Sequence, residues 1–175
     1  HIHTEFSDDS ECPFDDAVLN AIEYGLDEIC FTEHVDHGVK TTTLCDYDKY
    51  IPTLMACKEK YAEDIAIKLG IEFGIQQHTI DAFQRDFHEY GWDFVIMSNH
   101  QVDNKEFYNF DFQRGLSVEQ YTVRYYDEIL AVIENYDDYS VLGHLDFIRR
   151  YDKGPHYPFD KLKPVITAIL RQAIK

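Results

Sequence analysis

Short runs of strand character alternate along this chain with longer segments of helical period, and that rhythm leaves few folds open. Residues 2–6 read as a first strand. In residues 13–24, Ala17, Val18, Ala21 and Ile22 recur at helix spacing, and Gly25 stops the pattern. Residues 28–32 are the next apolar run, followed by a helical segment over 46–61 with Pro52 in its first two turns. A third strand is predicted over 65–74, a short helix over 79–89 and a fourth strand over 93–98. Residues 101–116, polar and aromatic, read as a long loop. Ser117, with Gln120 three residues on, has the form of a capping box opening a helix that runs to Tyr136. A fifth strand is predicted over 141–147 and a fifth helix over 158–174.

Strict alternation of this kind predicts a parallel sheet or barrel with helices outside it. The 175 residues are the length of one domain, and no low-complexity linker divides them. A closed barrel of strands and helices takes ~200 residues or more. The pattern therefore predicts an open sheet, or a barrel whose last strands lie outside this sequence, and the second is the preferred reading.

Composition removes several functional classes. The 33 acidic against 16 basic side chains leave a net charge of −17, which repels polyphosphate and predicts no general nucleic-acid partner. No apolar run approaches the ~20 residues of a membrane span. Cys12, Cys30, Cys45 and Cys57 form no Cys-x-x-Cys pair, so zinc-ribbon and thioredoxin-like readings lose their spacing, and a reduced cytoplasm is expected. A phosphate-binding Gly-rich loop ending in Lys is absent, as is a serine in a nucleophile elbow.

The histidines are more informative. His1-Ile2-His3 puts two imidazoles on one face of a strand, with Asp8 and Asp9 in the loop behind it. The second predicted strand runs into Thr32-Glu33-His34-Val35-Asp36-His37, the third carries Glu72, the fourth runs into Ser98-Asn99-His100, and the fifth holds His144 and Asp146. Each predicted strand thus delivers a His or a carboxylate toward its C-terminal end, where loops converge and active sites form in parallel folds. Imidazoles and carboxylates together are a ligand set for zinc, iron or manganese. Five histidines and two acids exceed the needs of one ion, so a multinuclear site that clamps phosphate and activates water is expected.

Other residues carry two readings each. Glu33 and Asp36 either orient His34 from behind or stand as solvated loop charges. Asp146 either supports His144 or pairs with an arginine. Arg149-Arg150 suits bidentate phosphate binding or an ordinary salt bridge. His37, His78, His88 and His156 fall outside the pattern. His78 and His88 are expected to face solvent, and His37 reads as a loop histidine, with substrate contact as its alternative.

Taken as a whole, His1-Ile2-His3-Thr4-Glu5-Phe6-Ser7-Asp8-Asp9-Ser10 resembles the opening metal motif of the polymerase and histidinol phosphatase (PHP) family. Ile29-Cys30-Phe31-Thr32-Glu33-His34 resembles its second motif, Gly70-Ile71-Glu72-Phe73-Gly74 its third, and Ser98-Asn99-His100 its strand-four ending. Gly143-His144-Leu145-Asp146-Phe147-Ile148-Arg149-Arg150-Tyr151 is similar to a stretch typical of the histidinol-phosphatase branch. The resemblance implies an α/β fold, a distorted (β/α)7 TIM-like barrel, binding up to three divalent ions of zinc, iron or manganese. Carried over by position, the metal ligands are His1, His3, Asp9, His34, Glu72, His100 and His144, with Asp9 preferred to Asp8 for its offset of six from His3. Arg150 takes the position that contacts the substrate phosphate.

The family's late-strand Asp-x-His has no counterpart, since Asp146, Asp152 and His156 do not reproduce it. Residues 1–175 are thus expected to be a single PHP domain of about five β/α units, lacking its C-terminal strands. The activity implied is metal-dependent hydrolysis of L-histidinol phosphate to L-histidinol and phosphate, in cytoplasmic histidine biosynthesis, with a small phosphate ester as the partner and no nucleic acid or membrane. The alternatives are a PHP phosphoesterase acting on phosphotyrosine or a nucleotide, a metal-dependent amidohydrolase, and a non-catalytic metal-binding domain.

Overall fold

Near-continuous apolar runs become the strands of a parallel sheet covered on both faces, because strands of mixed polarity would leave charge against the helices. The computed structural model describes residues 1–38, 44–152 and 154–175. Its elements run α1 (Phe14–Glu23), β1 (Glu28–Val35), α2 (Tyr47–Lys60), β2 (Ala66–Gly74), α3 (Ile80–Glu89), β3 (Phe94–Ser98), β4 (Gln101–Val102), β5 (Lys105–Glu106), α4 (Val118–Ile133), β6 (Val141–Leu142) and α5 (Phe159–Ala173). Single 3-10 turns precede α3 and follow β6.

The sheet order is β1-β2-β3-β6, every pair parallel. Each strand lies beside the next sheet strand in sequence. A doubly wound sheet would reverse its order at a switch point, and this one does not. The register aligns His34 with Glu72, and Gly74 with Ser98. That alignment brings the chemistry-bearing ends of three strands level with one another.

Helix faces close the core. Phe14, Val18 and Ala21 of α1 are buried, and the Phe14 ring meets Phe31 of β1 at 4.0 Å between centroids. Burying an aromatic or aliphatic side chain of this size contributes about 1.5–3 kcal/mol. Tyr50 of α2 is buried, and its hydroxyl donates toward the Phe31 and Gly70 carbonyls at 3.1 and 2.9 Å, tying the helix to β1 and β2. Tyr121, Tyr125, Ile129 and Ile133 form the buried stripe of α4. The predicted capping box is present: Ser117 N–H donates to Gln120 Oε1 at 2.8 Å, and Gln120 N–H donates to Ser117 Oγ at 3.2 Å. No helix among the described residues is long and apolar enough to cross a membrane.

Three expectations need correction. Residues 2–6 are not a strand of the sheet. The Thr32 N–H donates to the Ile2 carbonyl at 2.9 Å, the Ile2 N–H reaches Thr32 Oγ1, and from Thr4 onward the backbone turns. The fifth predicted strand pairs only over Val141–Leu142. At Gly143 the chain runs so close to β3 that an added Cβ would stand 2.1 Å from Ser98 Oγ, and Phe147 already belongs to a 3-10 turn. The predicted loop over 101–116 contains a hairpin, β4–β5, whose turn residues Asp103 and Asn104 have φ of 54° and 57°, as a two-residue type I′ turn requires.

Candidate metal centre

The C-terminal ends of β1, β2 and β3, with the extended segment at 1–3 and the turn after β6, open onto one cleft of about 780 Å³. His1, His3, Asp8, Asp9, His34, Asp36, Glu72, His100, His144 and Arg150 all line it. Every site residue expected from the sequence is therefore gathered in a single place.

Glu72 is the centre. Its side chain is 1% exposed, and its carboxylate lies within hydrogen-bonding reach of four imidazoles. Oε2 faces His1 Nε2 at 2.8 Å and His3 Nε2 at 3.0 Å, while Oε1 faces His144 Nε2 at 3.2 Å and His100 Nε2 at 3.4 Å. Ser98 Oγ donates to Oε1 at 2.6 Å and fixes the carboxylate from below. Burial alone would raise the pKa of Glu72, but the hydrogen bonds and charges of His100, His144 and His3 outweigh it and hold the carboxyl well below the usual range.

A second focus adjoins the first. Asp36 is buried, and its carboxylate meets His34 Nε2 at 3.0 Å and His100 Nδ1 at 3.1 Å, with Gln101 Nε2 donating to it at 3.1 Å. His34 Nε2 and His100 Nδ1 face each other at 2.6 Å, a separation with room for one proton between them. Gly74 makes this approach possible: a Cβ there would sit 1.6 Å from Asp36 Oδ1 and 2.6 Å from His100 Nδ1. Asp8 reaches His34 Nδ1 at 3.1 Å and Asp9 reaches His3 Nδ1 at 2.8 Å, so both acids of the loop stand at the cluster.

The electrostatics follow from this crowding. Burial opposes charge on His34, but Asp36, Asp8 and Glu72 prevail and push its pKa up to about 11. His3, likewise opposed by burial, is raised to about 9 through its bonds to Asp9 and Glu72. The His100 imidazole is raised chiefly by Asp36 against burial, and Asp36 is itself held low by His100 and His34 despite its burial. Asp9 is lowered by its hydrogen bond with His3. Protons on these rings balance the carboxylates, a task a divalent cation performs in a metal centre.

The donor set fits such ions. Four groups of three residues each offer ligand atoms within 4.8 Å of one another: His1–His3–Glu72, Glu72–His100–His144, His34–Asp36–His100 and Asp8–Asp9–His34. Glu72, His100 and His34 are each shared between two groups, which suits neighbouring ions better than one isolated ion. Nitrogen and carboxylate donors are those that zinc, iron and manganese take. Among the described residues the buried His144 Nδ1 has no hydrogen-bond partner, so that ring has a nitrogen still to satisfy.

The other expectations divide. Asp36 is no solvated charge but the partner of two cluster imidazoles. Glu33 is fully buried and points away from the cleft, accepting hydrogen bonds from Thr4 and Ser7. Arg150 lines the cleft with its guanidinium 5.3 Å from the Phe147 ring centroid. Arg149, Asp146 and His156 line an adjoining cleft of about 450 Å³. His37 pairs with Asp86 at 2.8 Å and His78 with Asn104 at 2.8 Å, both away from the cluster.

Sequence reasoning missed Gln101, Glu106, Tyr108, Phe147 and Tyr151 in the cleft wall. The first three arrive on the β4–β5 hairpin and its exit, for which the Asp103-Asn104 pair was the available signal. Phe147 stacks on His144 at 4.4 Å between centroids, a contact created by the 3-10 turn.

Comparison with known proteins accords with this geometry. The model of the PHP domain family matches residues 1–175. The histidinol-phosphatase of Lactococcus lactis is 33% identical over 180 residues, covering 98% of this chain and 65% of its own length. The crystal structure of histidinol phosphate phosphatase from Lactococcus lactis, complexed with zinc, L-histidinol and phosphate, is similar with a TM-score of 0.90 and 30% identity, over 98% of this chain and 67% of that one. A solved structure from Listeria monocytogenes shares the fold at a TM-score of 0.81 and 24% identity, over 99% of this chain and 77% of that one. The chain thus spans 65% of the length of the curated Lactococcus relative.

Proposed function

The chain belongs to the PHP domain family, and from that premise we propose that it carries the metal centre of a phosphomonoesterase that hydrolyses L-histidinol phosphate to L-histidinol and phosphate in cytoplasmic histidine biosynthesis. The observation that carries this reading is the buried Glu72 carboxylate within 3.4 Å of four imidazoles, in one cleft with Arg150. In this reading His1, His3, Asp9, His34, Glu72, His100 and His144 hold up to three divalent ions of zinc, iron or manganese, and Asp8 and Asp36 support them. Such ions acidify a water and draw charge from phosphate oxygens.

The chain's own residues supply the rest. Arg150 presents a planar pair of donors to the phosphoryl oxygens. Asp36 orients His100 through Nδ1, leaving Nε2 directed at Glu72, and Ser98 holds Glu72 in place. Glu106, buried in the cleft wall and bonded by Asn109, offers that wall carboxyl oxygens suited to accept from the ammonium end of an amino alcohol phosphate. The sequential parallel sheet serves as one wall of a distorted (β/α)7 barrel, a reading supported by the strand order and by coverage of 65% of the Lactococcus protein's length.

The test is phosphate release from L-histidinol phosphate by the intact protein, with metal content measured on the same sample. Metal-dependent turnover that Glu72→Ala abolishes is the expected result. Turnover of phosphotyrosine or a nucleotide in preference would move the substrate assignment, and bound metal with no turnover of any phosphoester would reduce the domain to metal binding.

A further inference from the structure

Residues 1–7 form an arm that carries two of the cluster's imidazoles yet belongs to no strand. Beside β1 it is held by the Thr32 N–H to the Ile2 carbonyl and by the Ile2 N–H to Thr32 Oγ1, both at 2.9 Å. The Thr32 hydroxyl adds a 3.3 Å bond to the same Ile2 carbonyl, and the turn that follows contributes Ser10 Oγ to the His3 carbonyl and Glu5 N–H to the Cys12 carbonyl. Against β1 itself these contacts hold the arm at Ile2 alone, whereas His1 and His3 must both stand within about 3 Å of Glu72 to share an ion with it.

A different contact completes the tether. Glu33 is fully buried on the face of β1 opposite His34. Its Oε2 accepts the Thr4 N–H at 2.9 Å and the Ser7 hydroxyl, and its Oε1 accepts the Thr4 hydroxyl at 2.7 Å. Ser7 Oγ in turn accepts the His34 N–H at 2.9 Å. Thr4 and Ser7 are buried as well. Among the described residues, every hydrogen bond to the Glu33 carboxylate comes from the arm. A buried carboxylate is costly unless its oxygens are satisfied, and here neutral donors of the arm satisfy them.

We propose that Glu33 is a positioning residue: by gripping Thr4 and Ser7 from the back of β1, it sets where His1 and His3 stand relative to His34 and Glu72. The proposal rests on the reading of the cleft as a metal centre. One strand then registers two sets of ligands, His34 directly and His1 with His3 through Glu33. Groups that orient metal ligands in this way typically change metal affinity by about 10–100-fold when removed.

The experiment compares wild type, Glu33→Met and Glu33→Gln in the intact protein, by competitive zinc titration and by NMR amide exchange at Thr4 and His34 without metal. Met matches the shape but accepts nothing, so zinc affinity of the folded protein should fall at least tenfold, and the Thr4 and His34 amides should exchange at least tenfold faster. Gln should recover most of both, since its oxygen can accept from Thr4 N and Ser7 Oγ while its amide donates to Thr4 Oγ1. A merely structural Glu33 would lower the melting temperature and leave the zinc affinity of the folded state unchanged. A folded Glu33→Met variant with wild-type affinity and a protected Thr4 amide overturns the proposal. Should that variant not fold, Thr4→Val removes only the hydroxyl bond. A several-fold loss of zinc affinity then supports the proposal, and no change overturns it. Wild-type protein that takes up no zinc would overturn the metal reading instead, while the Thr4 amide still decides whether Glu33 holds the arm.

Discussion

Loading the cluster with zinc should release protons in a number that the structure sets. His3, raised to about 9, and His34, raised to about 11, are both almost fully protonated at pH 7 in the metal-free protein. A nitrogen must lose its proton to bind an ion, so each ring gives up close to one proton on loading. At the ordinary histidine pKa of about 6.5, the same two rings would together release only about half a proton. Calorimetry at pH 7 in buffers of differing ionisation enthalpy reads the number directly as a slope. The expected value from these two rings is about two. Replacing His34 by Asn should lower it by about one. A slope near one half would refute the reasoning, because it would mean that the carboxylates do not hold these imidazoles charged.

Further expectations concern stability and the site. In the metal-free protein, His3 and His34 have folded pKa values above the unfolded value of 6.5, so their stabilisation is complete below about pH 6.5 and is lost as pH rises through about 9 and then about 11. Thermal melts of metal-free protein from pH 6 to 10 should therefore fall steadily, and an alkaline rise would contradict this. Ser98→Ala removes the 2.6 Å bond to Glu72 and should weaken zinc binding by about 10–100-fold in a competition titration. Arg150→Met should raise KM for the phosphate ester by about tenfold or more, with Arg150→Lys recovering only part, because a point charge replaces a planar fork. Tyr50→Phe should lower stability by about 1–2 kcal/mol in denaturant unfolding with turnover unchanged, since among the described residues its hydroxyl bonds only the Phe31 and Gly70 carbonyls.

Much of the fold was legible wherever a local signal and the tertiary outcome coincide. The apolar runs ending in His34, Gly74 and Ser98 became β1, β2 and β3 because a strand buried on both faces has little other pattern available. Ser117 and Gln120 capped α4 because a capping box is closed within four residues. The first segment misled because alternation of His1, Ile2 and His3 reports an extended backbone, not a paired one. Beyond the contacts of Ile2 with Thr32, what the arm pairs with is a side chain, Glu33, twenty-nine residues from Thr4. The fifth strand ended early because the chain leaves β3 after Gly143, whose N–H still donates to the Met97 carbonyl, and enters the 3-10 turn at Phe147, a course that the apolar pattern of the segment does not reveal.

The site was legible for a related reason. Ligand candidates sit at strand ends, and parallel pairing brings strand ends together, so finding the strands amounted to finding His34, Glu72 and His100 in one place. Asp36 was ambiguous in sequence because its meaning depends on Gly74 leaving room for it against His100. Glu106 and Tyr108 depend on a hairpin with strands of two residues, too short for any periodicity to announce. The choice between Asp8 and Asp9 rested on spacing alone, whereas the structure sets both against cluster imidazoles.

The most direct test of the account is a crystal structure of the zinc-loaded intact protein with anomalous scattering measured at the zinc edge. The account predicts anomalous peaks between His1, His3 and Glu72 and between Glu72, His100 and His144, with Glu72 bridging two of them. Zinc bound elsewhere with this cleft empty, or a Glu72 carboxylate that contacts no ion, would contradict it.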